Sequence, residues 1–165
     1  MTSDTASTLF GVRLTMQDGR ALQDVLKVQC FGCGSLNEHG LQIKSHWHGD
    51  ELVCRWRPLP HHIGHPGVVY GGTIASIVDC HSIWTALATY CRETGADIAA
   101  GTPPFVTGKL TVSYLRPARI DQVLELHSRV VDAGERRATV RCRVLQDGDE
   151  CAVAEVVTVR IRPKE

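Results

Sequence analysis

The sequence predicts an α+β fold in which an antiparallel sheet wraps around one long central helix. A single helical segment runs from Gly71 to about Glu93, a hairpin-like pair of runs precedes it, and strand-like alternation dominates after it. At 165 residues and 43% hydrophobic content, the chain can fill one core and is too short for two comfortable domains. Residues 1–29 read as a lead-in with a short helix, and 30–165 as the single domain.

Residues 1 to about 16 are polar and rich in Ser and Thr, with few core candidates. Asp18 to Val28 forms a short helix with Leu22, Val25 and Leu26 on one side. Cys30-Phe31-Gly32-Cys33-Gly34 is a glycine-punctuated turn, expected to pack under that helix. Leu41–Trp47 and Glu51–Trp56 alternate around His48-Gly49-Asp50 and predict a hairpin. Pro58–Gly67 is a loop carrying His61, His62 and His65.

The central helix takes its apolar contacts from Ile74, Ile77, Val78, Trp84, Leu87, Ala88 and Cys91, with Gly95 as its stop. Those residues spread around much of its circumference, which marks a buried helix. A loop with Pro103 and Pro104 leads to strand-like runs at Phe105–Arg116, Ile120–Val131, Glu135–Leu145 and Cys151–Ile161. Ala138, Val140, Cys142 and Val144 show the period of two, and Gly134 and Asp147-Gly148 mark the turns. Such a sheet leaves open edges, so self-association is expected.

Eighteen basic and eighteen acidic residues cancel, which argues against nucleic acid or an anionic membrane as partner. No apolar run reaches membrane-spanning length. MTSDTASTLF lacks the basic and apolar regions of a secretory signal. The cysteine count is seven, odd, with several in apolar segments, so reduced thiols in a cytoplasmic protein are expected.

Chemistry concentrates at Tyr70-Gly71-Gly72 and Asp79. Helix-opening amides have no internal partner and suit a developing oxyanion, and the glycines allow close approach to the main chain. A carboxylate two turns into an apolar helix is costly unless it has a task. Together they supply the polarising donor and the base of an acyl-transfer site. The bland alternatives are a structural acid at Asp79 and glycines that only permit close packing.

Three stretches, CFGCGSLNEHGLQI, HHIGHPGVVYGGTIASIVDCH and VTGKLTVSYLRPA, together resemble the hotdog-fold thioesterases of the PaaI-like group over roughly residues 30 to 161. The resemblance implies a hydrolase of acyl-CoA thioesters, assembled as a homodimer or a dimer of dimers. It places Gly71 at the oxyanion glycine, Asp79 at the catalytic acid, and Thr107 at a strand hydroxyl that holds the attacking water. Tyr70 stands where the family usually has histidine. Tyrosine donates a hydrogen bond but is no general base near neutral pH. Tyr70, Gly72 and His62 are expected beside the substrate, His62 because the family often has a histidine there. Neither a metal nor an organic cofactor is implied; coenzyme A enters as part of the substrate. The other readings are a non-catalytic acyl-CoA-binding or regulatory hotdog protein and, third, a hydratase.

Eight helical residues rise about 12 Å, whereas a donor and a base acting on one thioester must each lie within about 3 Å of their targets. Antiparallel helices from two chains would meet this, with Gly71 of one facing Asp79 of the other. Ser82, three residues after Asp79, shares its helix face and is expected to touch substrate or water. His81 lies about 200° round the helix from Asp79 and reads as a core histidine bonded to a carbonyl. Cys30 and Cys33 have a zinc-ligand spacing, but a closed site needs four ligands, and only His39, His46 and His48 are near in sequence. Arg116 and Arg119 either meet CoA phosphates or lie on a solvated face.

Overall fold

The structure, a computed structural model, describes residues 7–9, 12–14, 21–96 and 104–162. Its elements in order are β1 (Ser7–Leu9), β2 (Val12–Leu14), α1 (Leu22–Val25), β3 (Ser45–His48), β4 (Glu51–Trp56), α2 (Gly71–Thr94), β5 (Phe105–Tyr114), β6 (Leu124–Ala133), β7 (Arg137–Gln146) and β8 (Asp149–Arg160). Strands β1 and β2 pair antiparallel within the stretch expected as a plain lead-in. The remaining six form one antiparallel sheet in the order β3-β4-β6-β7-β8-β5, and α2 lies against it. This is the helix-in-a-sheet arrangement that the resemblance implied. Pro103 lies outside the described residues.

Helix α2 begins at Gly71 and ends where Gly95 takes the left-handed conformation, φ 68°, with its amide donating to Cys91 O. Only a residue without Cβ adopts that cap freely. Ile74, Ile77, Val78, Trp84, Leu87, Ala88 and Cys91 are all buried, as their spread around the helix predicts. The opposing layer comes from the alternation of β7, where Ala138, Val140, Cys142 and Val144 point inward, together with Leu124 and Leu126 of β6.

Three boundaries differ most from expectation. Strand β3 starts at Ser45 rather than Leu41, because Gln42 has a positive φ of 54° that breaks extended pairing. Strand β6 starts at Leu124 rather than Ile120: the Ile120 amide donates to Gly67 O, and the Gln146 side chain clamps both backbone groups of Arg119 at 2.8 Å. Helix α1 covers Leu22–Val25 and stops short of Val28, with Leu22 buried; Asp18, its expected start, lies outside the described residues.

A chain of buried polar groups ties α1, β3 and α2 together. Gln23 Nε2 donates to Ser45 Oγ at 2.9 Å, and the Ser45 amide donates to Gln23 Oε1 at 2.7 Å. Ser45 Oγ lies 2.8 Å from His81 Nδ1, and His81 Nε2 lies 3.1 Å from Leu52 O. A carbonyl can only accept, so Nε2 carries the proton and Nδ1 accepts from Ser45. Burial holds the His81 pKa down at about 4. His81 is the carbonyl-bonded core histidine that its helix position predicts.

Strand β5 decides the geometry beside α2. Its pairing with β8 slips between Thr107 and Lys109, leaving Gly108 as the extra residue of a bulge. A Cβ at Gly108 would sit 2.9 Å from Val159 Cγ2, so glycine lets the two strands close up here. The bulge switches the parity of the strand. Phe105 stacks its ring edge on Tyr90 of α2, Thr107 bonds Asp79, and beyond the bulge Val112 packs on the core and Tyr114 reaches Gly71. Strict alternation could not bring both halves of β5 onto the same helix.

Candidate active site

Tyr70 is the N-cap of α2, and its carbonyl accepts from the amides of Thr73 and Ile74 at 3.0 and 3.3 Å. Among the described residues the amides of Gly71 and Gly72 donate to nothing, so both are free helix-opening donors. The loop before them is fixed by its own ladder: Tyr70 N donates to His62 O and Val69 N to Ala118 O, both at 2.8 Å.

Tyr114 is a site neighbour that sequence reasoning did not find. Its hydroxyl donates to Gly71 O at 2.7 Å, and burial followed by the charge of Tyr70 raises its pKa, which keeps that proton in place. The bond polarises the peptide between Gly71 and Gly72 and so strengthens the Gly72 amide as a donor. The only signal in the sequence was an aromatic residue near the end of a strand, and the bulge hid which way it pointed.

Asp79 is half-buried on the third turn of α2, and the Thr107 hydroxyl donates to its Oδ1. The expectation for Thr107 was a bond to water; the structure bonds it to the acid itself. That contact fixes the carboxylate and leaves Oδ2 for a proton or an electrophile. Gly71 and Asp79 sit on one uninterrupted helix of 24 residues, so the separation of about 12 Å along the axis stands.

Ser82 requires a correction. It is 0% exposed, and its Oγ has no hydrogen-bond partner among the described residues, so it is sealed in the core rather than presented to substrate or water. Helix-face arithmetic aligned it with Asp79, but α2 passes under the sheet by that turn.

Two cavities flank the exposed Tyr70 ring. One, of about 840 Å³, includes Ile63, Val68, Gly71, Ile74, Tyr114 and Leu115. The other, of about 470 Å³, includes Phe31, His39, His62, Tyr70, Gly72 and Ser76. His62 therefore lies beside Tyr70 and Gly72. Its Nδ1 accepts from the Leu59 amide at 2.9 Å, and its ring packs 5.0 Å from that of Trp56. Burial, then the charge of His61, lowers its pKa, leaving a neutral ring whose Nε2–H is a donor. Arg116 and Arg119 are exposed and pair with Asp149 and Asp121 at 2.8 and 2.7 Å, and Arg116 also lines the larger cavity.

The Cys30–Gly34 turn packs on α2, and its Cys33 shares the core cluster with Leu22 of α1. A Cβ on Gly32 would come within 2.3 Å of Cys80 Sγ, so glycine permits the contact. The sulfurs of Cys30, Cys33 and Cys80 all lie within 4.8 Å of one another. The Cys33 pKa is lowered to about 6, chiefly by the hydrogen bond from Cys80 and then by those from Trp84 and Cys30, against its burial.

The thioesterase superfamily profile matches residues 66–153, which contain Gly71, Asp79, Thr107 and Tyr114. The chain belongs to the thioesterase superfamily. Among solved structures, a thioesterase superfamily protein from Shewanella loihica PV-4 is similar, at 31% identity and a TM-score of 0.62, over 85% of this chain and 99% of that one. The PaaI protein of E. coli shares the hotdog fold at 15% identity and a TM-score of 0.61, over 75% and 83% of the two chains. Acyl-coenzyme A thioesterase THEM4 of Xenopus laevis is 26% identical over 111 residues, which are 67% of this chain and 45% of that protein. The chain spans about half the length of the curated relatives it matches. Among the described residues of this superfamily member, no helix is long and apolar enough to cross a membrane.

Proposed function

We propose that the protein hydrolyses acyl-CoA thioesters to a carboxylic acid and free CoA. The observation that carries this is the pairing, inside the superfamily segment, of free amides at the start of α2 with a carboxylate already oriented by Thr107. The thioester oxygen accepts from Gly71 N–H, where the helix dipole favours negative charge. Asp79 Oδ2 then either takes a proton from the attacking water or attacks the carbonyl carbon itself to give a mixed anhydride that water opens. In both routes the carbon–sulfur bond breaks, the CoA sulfur leaves with a proton, and the acid keeps the water oxygen.

The site is shared between two antiparallel copies, Gly71 of one facing Asp79 of the other. Support comes from the helical separation of these residues and from β5, a ten-residue edge strand with Val106, Leu110 and Tyr114 exposed along it. An apolar edge of that length calls for a partner. Tyr70, Gly72 and His62 line the acyl or pantetheine path, and coenzyme A is the only non-protein group required.

The test is thiol release from a panel of acyl-CoAs by the wild type and by Asp79→Asn. We expect turnover by the wild type and its near-complete loss in the variant, with the fold and molecular mass unchanged. Equal turnover by both proteins would remove Asp79 from the chemistry. Tight acyl-CoA binding without turnover on any substrate would favour a binding role instead.

A further inference from the structure

We propose that Cys30, Cys33 and Cys80 together bind one Zn²⁺ ion, which fastens the Cys30–Gly34 turn to α2 next to Asp79. Two of the ligands come from the turn and the third from the helix, so the set is invisible as a sequence motif. The geometry suits the ion. Thiolate sulfurs about 2.3 Å from a tetrahedral zinc lie about 3.8 Å from one another. Cys30 Sγ and Cys80 Sγ are 3.6 Å apart, and all three sulfurs fall within 4.8 Å. That separation is far too long for a disulfide, and a disulfide would use only two of the three.

The surroundings also fit a cluster of thiolates. Cys33 is buried and Cys80 half-buried, and the missing side chain of Gly32 lets the turn close directly onto Cys80. Sulfur-only donors select a soft or borderline ion over magnesium or calcium. No fourth histidine, cysteine or carboxylate joins the three among the described residues, and Cys30 is exposed, so the fourth position faces solvent. Binding displaces the thiol protons to solvent and leaves a complex of charge −1, which the solvent at the exposed Cys30 screens.

The ion would stiffen one wall of the candidate site. Phe31 stands between two of the ligands in sequence and lines the cavity shared by His62, Tyr70 and Gly72. This consequence rests on the thioesterase reading; the metal site itself does not.

The full chain, purified under reducing conditions, is analysed for metal content, titrated with Zn²⁺ against a chromogenic chelator, and reconstituted with Co²⁺ for electronic absorption. Expected are one Zn²⁺ per chain and a thiolate-to-cobalt charge-transfer band. Cys80→Ser and the exposed-site variant Cys30→Ser should each weaken Zn²⁺ binding by more than about 100-fold, beyond the usual effect of losing an outer contact. A Co²⁺ spectrum without thiolate charge transfer, or a folded Cys80→Ser or Cys30→Ser protein that holds Zn²⁺ as tightly as wild type, would overturn the assignment. Because the readout is metal binding without substrate, it fails or succeeds independently of thioester turnover.

Discussion

Replacing Thr107 by Val keeps the shape of the side chain and removes only the hydroxyl that donates to Asp79 Oδ1. A hydrogen bond to a charged group contributes about 1.5–3 kcal/mol. Thr107 is exposed and Asp79 half-buried, so solvent competes for the carboxylate and reduces the contribution to the bottom of that range or below it, about 1–2 kcal/mol. At 1.36 kcal/mol per tenfold, the turnover number should fall by about 5- to 30-fold. The acid would still be present but free to rotate, so KM should change little, and Thr107→Ser should recover most of the loss. Thiol-release kinetics on the three proteins decide it. A Val variant at wild-type rate would show that the Thr107 bond does not orient the working carboxylate. A Val variant as inactive as Asp79→Asn would show that Thr107 takes part in the chemistry.

Tyr70→His should keep or raise activity, and Tyr70→Phe should lower it by about tenfold or less, because the ring is exposed, its hydroxyl has no hydrogen bond among the described residues, and the proposed donor is backbone. A Phe variant slower by three orders of magnitude would place the phenol in the reaction. Stability should fall as the pH drops from about 6.5 to about 4, since His81 titrates at about 4 when folded and near 6.5 when unfolded. The unfolded chain binds the extra proton in that window, so the contribution is complete above pH 6.5 and reaches about 3 kcal/mol. Urea unfolding of wild type and His81→Gln across this range checks it; equal pH slopes would contradict the burial argument.

Local signals were enough for α2 and the last three strands. Helix α2 starts and stops at glycines whose roles depend on nearest neighbours only, and Ala138 to Val144 carry a period of two that a sheet with one buried face enforces. The sequence also marked Gly71 and Asp79, because a diglycine and a lone acid stand out against an apolar helix. Long-range placement was not legible. The Gly108 bulge reverses which side of β5 faces α2, so Tyr114 could not be assigned to Gly71 from alternation. Cys80 joins Cys30 and Cys33 across a separation of 50 residues from Cys30, which no spacing rule covers. Ser82 failed for the opposite reason: helix geometry was right about its direction, but burial depends on what the sheet covers.

The shared site is tested most directly by subunit mixing. Gly71→Pro removes the proposed oxyanion donor with little strain: Gly71 is the first helical residue, where proline is favoured, and Tyr70 already has φ −59° and ψ 127°, suited to precede it. A Cβ at Gly71 would meet the Tyr114 ring at 3.4 Å, an ordinary contact. Gly71→Pro and Asp79→Asn chains should each be nearly inactive alone. Co-expressed in equal amounts, half of the dimers should pair one chain of each kind and hold one intact site of two, restoring about a quarter of wild-type activity. Mixed dimers, verified by mass, that stay as inactive as either parent would contradict a site built from Gly71 of one copy and Asp79 of another.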